Sequence, residues 1–129
     1  MNNPNERNAL ISELRNLIVT DCCKQVNNVQ NCGLLIDVCD LHETLATGFA
    51  ITDSGKKEAW LVEDMQILDK AEILQEKMNK KWDSAFIIIN LKNNKFLVEF
   101  YVGNKTAWRK SLFDHVGEWG YYIKASEKL

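Results

Sequence analysis

The residues nearest to a chemical pattern in this 129-residue chain are four cysteines and a histidine. Cys22, Cys23, Cys32, Cys39 and His42 fall in the order Cys-Cys-x8-Cys-x6-Cys-x2-His. Structural zinc sites open with paired ligands two to four residues apart, and that spacing is missing. Adjacent Cys22 and Cys23 on a helix diverge by about 100°, which is poor geometry for chelation. The better reading of most of these thiols is as small buried hydrophobes, with no metal and no cofactor expected. Nucleophilic catalysis would need a thiol or hydroxyl beside an oriented base. Cys39 and His42 stand three apart at a strand end, which puts them on opposite faces of the pleat. The other histidine, His115, is remote in sequence. There is no glycine-rich phosphate loop and no H-E-x-x-H. The alternative to a binding protein is therefore a small enzyme or ligand-binding domain with a pocket near Asp37, Cys39 and His42. The first expectation is that the chain is not an enzyme.

The elements that would position these residues are readable from periodicity. Asn3-Pro4 is a helix start, with Pro at the first helical position. Leu10, Leu14, Leu17 and Ile18 continue an apolar stripe, so a helix is predicted from about Pro4 to about Lys24. Asn27 to Gly33 reads as a polar connection. Leu34 to Asp40 alternates and reads as strand one, with Leu35, Asp37 and Cys39 on one side. Leu45 to Thr52 reads as strand two, Asp53-Ser54-Gly55-Lys56 as a hairpin turn, and Glu58 to Val62 as strand three. Glu63 to Lys81 turns helical, with Asp64 as N-cap and Ile67, Ala71, Leu74, Met78 and Trp82 in the stripe. Phe86-Ile87-Ile88-Ile89 is a buried strand, and Lys95 to Val102 alternates after an Asn-rich turn. This hairpin is expected at the centre of the sheet. Thr106 to Val116 is expected as a short C-terminal helix, and Trp119 to Ile123 as an edge strand or core cover. The sum is a single α+β domain over residues 1–129. It has an about five-stranded, largely antiparallel sheet, a long N-terminal helix and a second helix between strands three and four.

Composition narrows the function classes. A hydrophobic fraction of 46% and a charged fraction of 26% suit a soluble globular protein. No apolar run of spanning length occurs, and the N-terminus has no basic-then-apolar leader, so no membrane span and a cytoplasmic site are expected. Lys92, Lys95, Lys105, Arg109 and Lys110 lie near Tyr101 and Trp108, but a pI of about 5.7 argues against nucleic-acid binding. Charge is uneven along the chain. Residues 1–64 carry ten acids and five bases, and residues 65–129 carry eight acids and eleven bases. An acidic first half suits a basic partner. Trp108, Trp119 and Tyr121 fall in the irregular C-terminal part and are candidate aromatic anchors for a protein partner.

The residues Leu74-Gln75-Glu76-Lys77-Met78, Trp82-Asp83-Ser84-Ala85-Phe86 and Asn93-Asn94-Lys95-Phe96-Leu97-Val98-Glu99-Phe100-Tyr101 form a recognisable series. With the later Glu118-Trp119-Gly120-Tyr121-Tyr122, they resemble small bacterial immunity proteins of toxin–immunity systems, such as contact-dependent inhibition, of the YezG-like kind. The resemblance covers roughly residues 60–123. It implies an antidote that binds a cognate toxin, the C-terminal domain of a large exported protein and often a nuclease, by stoichiometric occlusion. Asp37, Asp40, Glu43, Asp53, Glu58, Glu63 and Asp64 are then the expected acidic contacts to that partner. The resemblance leaves oligomeric state open.

Overall fold

The computed structural model describes residues 4–38, 44–79, 82–102 and 129. Its elements run in the order α1 (Pro4–Gln25), β1 (Val29–Val38), β2 (Thr44–Thr52), β3 (Lys57–Trp60), α2 (Gln66–Lys77), β4 (Ser84–Asn90) and β5 (Lys95–Tyr101). The five strands form one sheet in the order β3-β2-β1-β4-β5, and every neighbouring pair is antiparallel. The predicted α+β class, sheet and two helices are present. The predicted C-terminal helix, and the segment Trp119 to Ile123, lie outside the described residues.

Both helices pack on one face. Leu14, Ile18 and Cys22 of α1 are fully buried at four-residue spacing. They share a core with Ile67, Ala71 and Leu74 of α2 and with Leu34, Ile36, Ala85 and Ile87 of the sheet. Lys70 to Glu13 (2.6 Å) and Lys77 to Glu6 (3.5 Å) pair α2 with α1 in antiparallel register. Leu34, Gly48, Trp60, Ile87 and Val98 form one cross-strand row under the helices. Gly48 is required there: a Cβ would meet the Trp60 indole and lie 2.5 Å from the Trp60 carbonyl oxygen. The Trp60 Nε1–H donates to the Phe49 carbonyl at 3.0 Å, which satisfies its polar tip in the core.

The other face of the sheet is buried as well. Leu35, Phe49, Phe86 and Ile88 are all inaccessible, and the Phe49 and Phe86 rings stand 6.0 Å apart. This two-sided burial is why Phe86–Ile89 is a continuous apolar run rather than an alternating one.

Four expectations change. First, the segment Asn27–Gly33 is not a connection throughout, because β1 begins at Val29. Its polar residues become strand since Asn31, Cys32 and Gly33 pair with β2 on one side and β4 on the other. Two ladders outweigh weak local propensity. Second, the β4–β5 hairpin is not central. β1 is the middle strand and β5 is the outer one. Third, α2 ends at Lys77, and Asn79 takes a left-handed φ of 57°. That reversal takes Trp82 off the helix, where it buries against Phe100 with ring centroids 5.3 Å apart. Fourth, β3 stops at Trp60 and α2 starts only at Gln66. Between them, Gln25 of α1 takes the Leu61 backbone groups that a longer β3 would have used.

Candidate functional site

Asp21 and Gln25 stand one turn apart at the end of α1, facing the connection from β3 to α2. The Glu63 and Asp64 N–H groups donate to Asp21 Oδ2 at 2.8 and 3.0 Å. The Gln25 Nε2–H donates to Asp21 Oδ1 at 3.2 Å and to the Leu61 carbonyl at 2.5 Å. The Leu61 N–H donates back to Gln25 Oε1 at 3.1 Å. Gln25 thus copies one residue of strand pairing, and Asp21, only 3% exposed, accepts two amides just ahead of α2. Residues 61–64 are therefore tied to the end of α1. Asp64 still contributes its Oδ1 to the Gln66 N–H at 3.0 Å, although the N-cap position itself is Met65.

This pinning sets which side chains face water. Lys57, Ala59, Leu61, Glu63 and Met65 are exposed, while Glu58, Trp60, Val62 and Asp64 between them are partly or fully buried. Leu61 is 74% exposed and Met65 60%. Neither was singled out by sequence reasoning. The available signal was Asp21, a carboxylate placed within the apolar stripe of α1 three residues after Ile18.

The sequence-predicted acids separate into three groups. Asp53, Glu58, Glu63 and Asp64 lie in succession on the β2–β3 turn, the edge strand β3 and the pinned connection. Asp53 is exposed, with its carboxylate 3.8 Å from Lys92 Nζ, and Glu58 pairs with Lys56 at 2.9 Å. Asp37 lies elsewhere. It is 4% exposed, opposite Ser84 in the ladder, and accepts the Ser84 hydroxyl, so it presents no carboxylate to a partner. Asp40, Glu43, Trp108, Trp119 and Tyr121 lie outside the described residues.

The alternative pocket is only partly visible, since Cys39 and His42 also lie outside the described residues. Asp37 itself accepts the Ser84 hydroxyl. An open cleft of about 450 Å³ does exist, but roughly 30 Å away towards the other end of β1. It lies between Asn27–Asn28 and Thr52–Lys56, with Gln25 and Glu58 also lining it. Its polar groups largely satisfy one another. The Asp53 N–H donates to the Asn28 carbonyl at 2.8 Å, and Thr52 Oγ1 takes the Lys56 N–H at 3.1 Å. The lining holds no histidine and no cysteine; its two hydroxyls, Thr52 and Ser54, bond each other at 3.0 Å, and Lys56 pairs with Glu58.

Cys22 and Cys32 are buried free thiols of the helix-side core, and Cys23 is exposed. The Cys32 thiol is pushed well above its ordinary range, first by its hydrogen bond with the Cys22 thiol and then by burial. The Cys23 thiol is raised by partial burial and then by Cys22. Raised thiols are poor nucleophiles and poor metal ligands. Among the described residues, no group of three His, Cys, Asp or Glu is placed to hold a metal ion. Among the described helices, none is long and apolar enough to cross a membrane.

Comparison with protein-family models gives no match to this chain, and no curated protein matches it.

Proposed function

We propose that this chain is a binding protein of the immunity type, which neutralises a cognate bacterial toxin domain by covering it one to one. The observation that carries the reading is the acidic edge of the sheet. Asp53, Glu58, Glu63 and Asp64 follow one another from the β2–β3 turn to the start of α2, beside two exposed apolar side chains. Apolar anchors with a charged surround are what a protein interface needs, and no catalytic constellation is required. An acidic edge favours a basic partner, and a nuclease surface that holds phosphate is the partner class it suits best. The sequence resemblance to small immunity proteins points the same way.

The test is affinity capture from the native bacterium, with the tagged full chain as bait and bound chains identified by mass spectrometry. The expected result is one dominant partner at near-equal stoichiometry, the C-terminal domain of a large exported protein. Its toxic activity, assayed on the purified domain, should fall to zero at one equivalent of this chain. A diffuse set of captured chains, or a captured domain that stays fully active at saturation, sinks the reading.

A further inference from the structure

We propose that the pinned segment Leu61–Met65 is a docking loop for a partner protein surface that brings a lysine or arginine between two apolar recesses. The inference rests on the binding reading above and names the part of the acidic edge that carries most of the affinity. Leu61, Glu63 and Met65 occupy alternate positions of the segment from the end of β3 to the N-cap of α2 and are exposed together. Single exposed apolar residues are ordinary on protein surfaces. Here two large ones flank a carboxylate on one short segment. The Glu63 carboxylate has no ion-pair partner among the described residues, in contrast to Glu58, which Lys56 neutralises. From Lys57 to Met65 there are three acids and one base. The complementary surface must therefore be cationic at its middle and apolar on both sides.

The backbone geometry supports this use over an added strand. The Leu61 N–H and carbonyl are both taken by Gln25, and the Glu63 and Asp64 N–H groups by Asp21. A partner strand pairing beyond Trp60 would find these groups occupied. Within β3, the four-residue length and an exposed Lys57 also guard the edge. Recognition thus falls to the side chains. Because α1 fixes the backbone already, the loop loses little conformational freedom on docking, which is the condition for a small patch to contribute strongly.

The experiment titrates the captured partner chain, purified, against full-length variants by calorimetry. The variants are Leu61→Ser with Met65→Ser, Glu63→Lys, and a control, Val102→Ser, which is also well exposed but lies just beyond β5 at the opposite edge of the sheet. Circular dichroism melts verify that each variant is folded. The expected result is a Kd at least tenfold weaker for the double variant and for Glu63→Lys, with Val102→Ser within threefold of the parent chain. A loss below tenfold for the double variant, or an equal loss for Val102→Ser, overturns the docking loop while the binding reading stands. Self-association of the chain that Leu61→Ser with Met65→Ser abolishes would make a second copy the occupant and also overturn it. Failure to capture any single partner takes down both readings.

Discussion

Replacing Asp21 by alanine tests the physical core of this structure. The carboxylate is buried at the end of α1 and accepts three hydrogen bonds, two of them backbone N–H groups of Glu63 and Asp64 at 2.8 and 3.0 Å. A hydrogen bond to a charged group contributes about 1.5–3 kcal/mol net, and an orphaned buried donor costs about 1–3 kcal/mol. The two amides share one oxygen and are only partly buried, so water reaches them in the variant and the lower end of each range applies. Asp21→Ala should then cost about 3 kcal/mol, with the lost Gln25 contact included. Asp21→Asn keeps one acceptor oxygen but no charge and should cost about 1–2 kcal/mol.

Urea denaturation reads both numbers. With a slope of about 1–3 kcal/mol/M, the alanine variant should unfold roughly 1.5 M earlier than the parent. Hydrogen exchange gives the local readout: the Glu63 and Asp64 amides should lose protection in Asp21→Ala while the β1 and β4 amides keep theirs relative to global stability. A cost under about 0.5 kcal/mol would refute the reasoning, because it would mean that burying the carboxylate costs as much as its bonds return. Unchanged exchange at Glu63 and Asp64 would refute it separately, by showing that the connection is held by something other than Asp21.

Three further outcomes follow from the packing. Gly48→Ala should destabilise by about 2–3 kcal/mol, since its methyl group meets the Trp60 indole and a backbone carbonyl that cannot swing away. Adding Trp60→Leu should give a double variant less destabilised than the two single costs together, measured as a double-mutant cycle by denaturation. Ile87→Ala and Ile88→Ala, on opposite faces of β4, should each cost about 2–5 kcal/mol, and a cost below about 1 kcal/mol for Ile88 would contradict burial of the second face. Stability should fall as pH rises past 9.0, the ordinary thiol value, because the unfolded chain then ionises Cys32 while the folded chain keeps it protonated. The contribution is complete below that pH and declines by up to about 1.4 kcal/mol per unit above it, so Cys32→Ala should flatten the difference between denaturation curves at pH 8 and pH 10.

Much of this fold was legible because its elements announce their own period. The stripe of Leu14, Ile18 and Cys22, the run Phe86–Ile89 and the alternation of β5 all placed elements correctly. What was not legible depended on distant residues. Val29–Gly33 has no strand composition and is a strand only because it lies between two ladders. Asp37 alternates like an exposed residue, but period alone does not say which face of a sheet meets water, and here both are covered. Its carboxylate therefore left the group of accessible acids once Ser84 was seen opposite it.

The candidate site shows the same division. Asp53, Glu58, Glu63 and Asp64 were visible as charge, whereas Leu61 and Met65 were not visible as anchors. Read locally, Asp64 is a helix N-cap and the following stripe belongs to α2, so the residues before it look like an ordinary entry to a helix. One buried carboxylate on α1 changes that. Asp21 accepts the Glu63 and Asp64 amides and so ties the entry to α2 to the end of α1, while Gln25 takes the backbone groups that a longer β3 would have used. The connection between the two elements is thereby held in one place, with Val62 packed against the core and Leu61, Glu63 and Met65 outside. Two side chains of α1, Asp21 and Gln25, are thus committed to fixing a segment that leaves Leu61 and Met65 exposed beside Glu63, and that is the physical reason to look for a partner there.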